Sequence, residues 1–190
     1  MAGRSIFACE MSLAFTPVVH DALRSLVAQS YRPLSFGEKW ALWDRAASLL
    51  VANQAGWTSG CWDFFDDDAR ARSDFNMWVQ GMLTEEGARP SPLPLSADPY
   101  RGEARYLTFT MAVLMVQGTP SERRVAQALD IPESRLWTRD TFVRVLLAVR
   151  LFNFASIQGS TLYLIPNDPT FALTAQDLRH PKFQYLRQIV

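Results

Sequence analysis

Ala104-Arg105-Tyr106-Leu107-Thr108-Phe109-Thr110-Met111-Ala112-Val113-Leu114-Met115-Val116-Gln117 is the stretch on which the fold class turns. Its unbroken apolar middle suits a buried helix, and that is the expectation. Thr108, Thr110, Val113 and Val116 are β-prone, so a strand stays open as the alternative. From Tyr106 to Val116 the segment falls far short of the roughly 20 apolar residues that span a bilayer. No transmembrane helix and no membrane partner are expected.

Downstream, Pro120-Ser121-Glu122 opens a short helix, Glu122 to Leu129, which Asp130-Ile131-Pro132 stops. Asp140 or Thr138 caps a longer helix reaching Phe152. Asn153-Phe154-Ala155-Ser156-Ile157 and Thr161-Leu162-Tyr163-Leu164-Ile165 are β-prone runs around Gln158-Gly159-Ser160, the pattern of a small hairpin closed by Pro166. Thr174 and Asp177 stand at capping spacing before a last short helix that stops at Pro181.

Upstream lies Ala88-Arg89-Pro90-Ser91-Pro92-Leu93-Pro94-Leu95-Ser96-Ala97-Asp98-Pro99, where four prolines forbid a helix and leave a linker or strap. It divides the chain into a Trp-rich, acidic region, residues 1–87, and a basic region, residues 100–190. The first region reads as helical. Thr16 before Pro17 starts a helix over 17–30, with Val19, Leu23, Leu26 and Val27 at helical spacing. Ser35 and Glu38 form a capping box for a second, carrying Trp40, Trp43, Ala47, Leu50 and Val51 to about Asn53. Gly56-Trp57-Thr58-Ser59-Gly60 breaks it, and Ser73 caps a third with Phe75, Trp78, Val79, Met82 and Leu83, ended by Gly87. The expected fold is mostly α: a helical N-terminal bundle and a C-terminal module with a small β-hairpin. No internal repeat is visible.

Helix, short helix, turn, longer helix and two-stranded wing is the order of the winged helix-turn-helix superfamily, which residues 104–165 resemble. The match lies in element order and in the register of Val125-Ala126-Gln127-Ala128-Leu129. The resemblance implies a positioning helix over Ser121–Ile131, a recognition helix within Arg135–Phe152 and a wing tip at Gln158-Gly159-Ser160. It also implies DNA as a partner, with Arg123, Arg124, Arg135 and Arg139 placed to meet phosphates. The helix itself argues otherwise, because Val143, Leu147 and Ala148 stand where a reader helix offers Asn, Gln, Ser or Lys. A helix apolar nearly all round meets protein.

The search for chemistry is short. His20 and His180 read as surface or capping residues. Cys61 has no local base to activate it, and the serine of Gly56-Trp57-Thr58-Ser59-Gly60 sits one place late for a nucleophile elbow. Asp63, Asp66, Asp67, Asp68 and Asp74 lack the glycine and glutamate of a calcium loop and read as solvated residues before a helix N-terminus. No catalytic residue, metal ligand or cofactor is assigned. The aromatic residues say more. Trp40, Trp43, Trp57, Trp62 and Trp78, with Phe36, Phe64, Phe65 and Phe75, are too many for the interior of a region this small. Trp57, Trp62, Phe64 and Phe65, expected in a loop, are the candidate partner-binding residues, facing either another protein or the C-terminal half.

The whole chain of 190 residues carries 19 basic and 19 acidic side chains, 17 of the basic ones being Arg, with 48% hydrophobic residues. Zero net charge excludes a wholly basic nucleic-acid or membrane coat. The balance is a cancellation, for residues 1–100 hold 8 basic against 12 acidic groups and residues 101–190 hold 11 against 7. Glu10 interrupts the N-terminal apolar stretch before it becomes a signal peptide core, and Cys9 and Cys61 lack metal or redox spacing, so the expected compartment is the cytoplasm. The function expected from sequence is a non-catalytic interaction or adaptor protein in a larger assembly, with a protein partner or a second copy of itself. A DNA-binding regulator using the basic half is the alternative, and an enzyme whose site is invisible in sequence the second.

Overall fold

The computed structural model describes residues 3–83, 91–92 and 103–190. Its elements are β1 (Arg4–Ala14), α1 (Pro17–Ser30), α2 (Phe36–Ala52), β2 (Trp57–Phe65), α3 (Asp68–Leu83), β3 (Ser91–Pro92), β4 (Tyr106–Val116), α4 (Pro120–Ala128), α5 (Arg139–Ala148), β5 (Ile157–Ile165), β6 (Phe171–Ala172) and β7 (Arg187–Gln188), with short 3₁₀ turns between. Five strands form one antiparallel sheet in the order β5-β4-β1-β2-β7, and β3 pairs separately with β6.

This overturns the mostly α expectation: the chain is a mixed α/β fold. The deciding stretch, 104–117, contains a strand. The expected hairpin is a 3₁₀ turn, Phe154–Ser156, followed by one continuous strand, because Gly159 and Ser160 pair with Leu114 and Val113 instead of turning. The order helix, helix, helix, wing therefore does not occur over 104–165. The N-terminal region is not a separate helical bundle either, since β1 pairs along its whole length with β4 from the other region. Most of the proline strap lies outside the described residues, which include only its Ser91-Pro92 pair.

The strands escape sequence reading for a physical reason. Every residue of β1 from Ser5 to Leu13 is buried, and so is every residue of β4 from Leu107 to Val113. A strand covered on both faces shows no polar–apolar alternation. One face carries Phe7, Cys9, Met11 and Leu13 beside Leu107, Phe109, Met111, Val113 and Met115, and packs into a single core with α1, α2 and α5. Helix α3 packs across β1 and β4 on the other face. At Gly159 a Cβ would lie 2.7 Å from the Phe75 ring, and at Gly60, on the first face, 2.6 Å from the Phe142 ring, so each glycine admits an aromatic ring against the sheet.

The helices lie where their caps place them. Thr16 Oγ1 accepts from Val19 N, Ser35 and Glu38 form the reciprocal box, and Thr119 and Thr138 cap α4 and α5. No helix among the described residues is long and apolar enough to cross a membrane.

A repeat is present in the architecture that the sequence does not display. The order strand, helix, helix, strand occurs twice, as β1-α1-α2-β2 and β4-α4-α5-β5. Both units open with an 11-residue strand and a Thr-Pro helix start, Thr16-Pro17 and Thr119-Pro120. Each passes through an asparagine, Asn53 or Asn153, and a 3₁₀ turn into a 9-residue strand. The pairing irregularity also recurs, at Ser12/Leu13 and at Leu114/Met115. Cys9 and Met111, each the sixth residue of its strand, face each other, so an approximate two-fold axis passes through that pair.

Candidate functional site

The second face of the sheet is unlike a core. Glu10 (3% exposed), Ser12, Thr108 and Thr110 are buried there, with Cys61 opposite Glu10 on β2. Above them, α3 on one side and the segment after β6 on the other leave a cleft of about 380 Å³, lined by Glu10, Asp74, Met77, Trp78, Thr110, Ile165, Lys182 and Tyr185. It combines apolar walls with a few polar groups, the usual make-up of a small-ligand site.

Glu10 forms the floor. The Tyr185 hydroxyl donates to Glu10 Oε2 at 2.7 Å, whereas Oε1 is buried with no hydrogen-bond partner among the described residues. Burial raises the Glu10 pKa, against the opposing pull of the neighbouring Tyr185, Thr110 and Thr108 hydroxyls and the Lys182 ammonium. Tyr185 is 39% exposed, but its hydroxyl reaches into the desolvated floor of the cleft, and that desolvation and the carboxylate beside it hold the phenol protonated. Its ring meets Trp78 edge to face at 5.6 Å, closing one wall. Asp74 at the mouth is shared with Arg70 at 3.4 Å. A carboxyl of raised pKa in a cleft can accept a hydrogen bond, take up a proton or hold a cation.

Sequence reading passed over this residue. Glu10 was visible only as the charge that interrupts an apolar run. Such a charge inside a segment buried on both faces is itself the signal, since an acid is almost never fully buried without a purpose or a partner.

The residues expected at a partner surface lie on β2 instead of a loop, and they are largely spent inside the molecule. Trp57 is buried and its indole donates to Leu50 O at 3.1 Å. The Trp62 indole donates to Leu136 O at 3.1 Å, so it reaches the C-terminal half. Phe64 packs against the core, and Phe65 lies under the Arg70 guanidinium at 4.3 Å. Among the arginines expected to meet DNA, Arg123, Arg124 and Arg135 are exposed on α4 and the turn after it. Arg139 is not free for phosphate: it donates to Gln54 O and lies 6.0 Å from the Trp57 ring. These four do not gather around the cleft.

The remaining candidates find structural roles. His20 is buried in α1 with Nε2 2.8 Å from Pro166 O, a core position where a surface or capping residue was expected; His180 Nδ1 accepts from Lys182 N. Burial, with Asp63 and Glu10 nearby, pushes the Cys61 thiol up to about 11, which leaves it a poor nucleophile at neutral pH. Asp67 caps α3 by accepting from Arg70 N, and Asp68 pairs with Arg72 at 2.7 Å. Among the described residues no three His, Cys, Asp or Glu side chains are grouped to hold a metal ion. No family model, curated protein or solved structure matches the chain.

Proposed function

We propose that this is a binding protein for a small molecule, received in the cleft between α3 and the C-terminal segment with Glu10 as its polar anchor. The observation that carries this reading is Glu10 Oε1, buried, without a hydrogen-bond partner among the described residues and at the floor of the cleft. An unmet buried acceptor costs about 1–3 kcal/mol, and more when charged. A ligand that donates to it recovers that cost. Both cysteines are free, which fits work in the reducing cytoplasm.

The test is ligand-observed NMR against a fragment library, with wild-type protein and Met77→Trp. Met77 lines the cleft on α3 and is 59% exposed, so a larger ring there fills the cleft without entering the core. Hits that disappear in Met77→Trp support the reading. A blank screen, or hits indifferent to the substitution, refutes it.

The adaptor reading retains one observation in its favour, at a place other than the expected one. Tyr31 (72% exposed), Phe36 (59%) and Trp40 (39%) cluster where α1 hands over to α2, with Phe36 and Trp40 one helical turn apart. Exposed aromatics so grouped are typical of protein contacts. A pull-down that captures the same protein with wild type and with a Phe36→Ser, Trp40→Ser double variant removes this reading.

A further inference from the structure

We infer that the ligand of the cleft is an organic cation, a protonated amine on a compact apolar body, with the ammonium seated on Glu10 and the body against Trp78, Met77 and Ile165. This inference rests on the small-molecule reading above and names the ligand's chemistry.

Three observations converge on it. First, the unmet group is an acceptor. Among the described residues Glu10 Oε1 has no hydrogen-bond partner while Oε2 already accepts from Tyr185, so ionised Glu10 calls for a ligand that brings a donor, and an ammonium brings three. Second, the walls are aromatic and aliphatic. Trp78 and Tyr185 present their rings edge to face beside the carboxylate, and aromatic rings near an acid are a recurring way of holding organic ammonium groups. Third, the charges are arranged in depth. Glu10 is the buried charge at the floor, whereas Asp74, with its partner Arg70, and Lys182 on the opposite wall are half-buried. An anion seated on the floor would face the Glu10 carboxylate; the Lys182 ammonium on the wall already acts on that carboxylate and leaves Oε1 as the acceptor that a cationic donor can use.

The pH dependence follows. Only ionised Glu10 attracts the ammonium, so affinity rises with pH through the raised Glu10 pKa and then levels off until the amine loses its own proton. The titratable groups facing Glu10 are Tyr185 and Lys182 from the C-terminal segment, Cys61 from β2 and Asp74 from α3. Tyr185 and Cys61 stay neutral over this range, because both are raised further.

The experiment compares hexylammonium, 1-hexanol and hexanoate by isothermal titration calorimetry with wild type and Glu10→Gln, after thermal unfolding shows both proteins folded. We expect hexylammonium to bind at least tenfold more tightly than the other two, and Glu10→Gln to weaken it at least tenfold. If hexanol or hexanoate binds as well as hexylammonium, or if Glu10→Gln leaves hexylammonium unchanged, the cation assignment is wrong. If none of the three binds while fragments bind in the cleft, the assignment is wrong and the small-molecule reading stands. If the fragment screen is blank as well, both fall.

Discussion

Two rows of residues lie side by side on the second face of the sheet, one on each side of the two-fold axis. Glu10 pairs with Thr110, and Ala8 pairs with Ala112. Ala112 occupies in β4 the place of Glu10 in β1, and Ala8 occupies the place of Thr110. The scaffold treats both rows alike, with the same strand lengths, pairing and burial, yet one row is inert and the other holds an acid. On the first face the units agree: Phe7 and Phe109 are each the fourth residue of their strands and each fully buried. Where the units match, the residues serve packing. Where they differ, the difference has put a titratable group under a cleft.

The largest effect should come from the part that matches. Phe7→Ala and Phe109→Ala should each cost about 3–5 kcal/mol in denaturant unfolding, through lost apolar burial and an unfilled cavity. Their costs should agree to within about 2 kcal/mol, the scatter expected for one chemistry at two sites. A much wider gap would show that the two units do not share the core equally.

The glycines sharpen the contrast between faces. Gly60→Ala should cost more than Gly159→Ala, each within the roughly 1–3 kcal/mol of overpacking. At Gly60 the new methyl meets Phe142, fully buried, and lies 3.1 Å from the Glu10 carbonyl oxygen, so nothing can retreat. At Gly159 it meets Phe75, a half-buried ring on α3 that has solvent beside it. Equal costs, read from chemical denaturation of the two variants, would break the comparison.

The smallest effect is the most specific. Because burial raises the Glu10 pKa, the folded state holds its proton more tightly than the unfolded chain does. The stability this gives is fully present below the ordinary glutamate pKa and is lost as pH rises through the folded value. Glu10→Gln, which keeps the shape and can still accept from Tyr185, should flatten that decline and melt higher than wild type at neutral pH. Asp63 is shifted in the same direction, so the difference between the two proteins carries the test. Parallel stability curves from pH 4 to 8 would mean that Glu10 does not titrate as its surroundings demand.

What the sequence made legible was local. Thr16-Pro17 and the Ser35–Glu38 box announce α1 and α2 because capping chemistry is written within four residues. The strands are hidden because both faces are covered, by α1, α2 and α5 on one side and by α3 on the other. Alternation, the usual mark of a strand, is erased by that cover in β1 and β4. Trp62 looked surplus because its partner, the carbonyl of Leu136, is 74 residues away. Glu10 was hidden in the same way, for it becomes a site only when Tyr185, 175 residues on, reaches its carboxylate.

The ladder between β1 and β4 also sets a clock. It joins Arg4 to Val116 and Ala14 to Tyr106, partners roughly a hundred residues apart in the chain. Within each unit the sheet is only a two-stranded ribbon, which depends on helix packing for its stability. The helices can form early from their own caps, but the central pairing that gives them a surface to pack on requires a long search. Assembly of this fold is therefore governed by the slow meeting of two distant strands, and the cleft over Glu10 takes shape only after they have met.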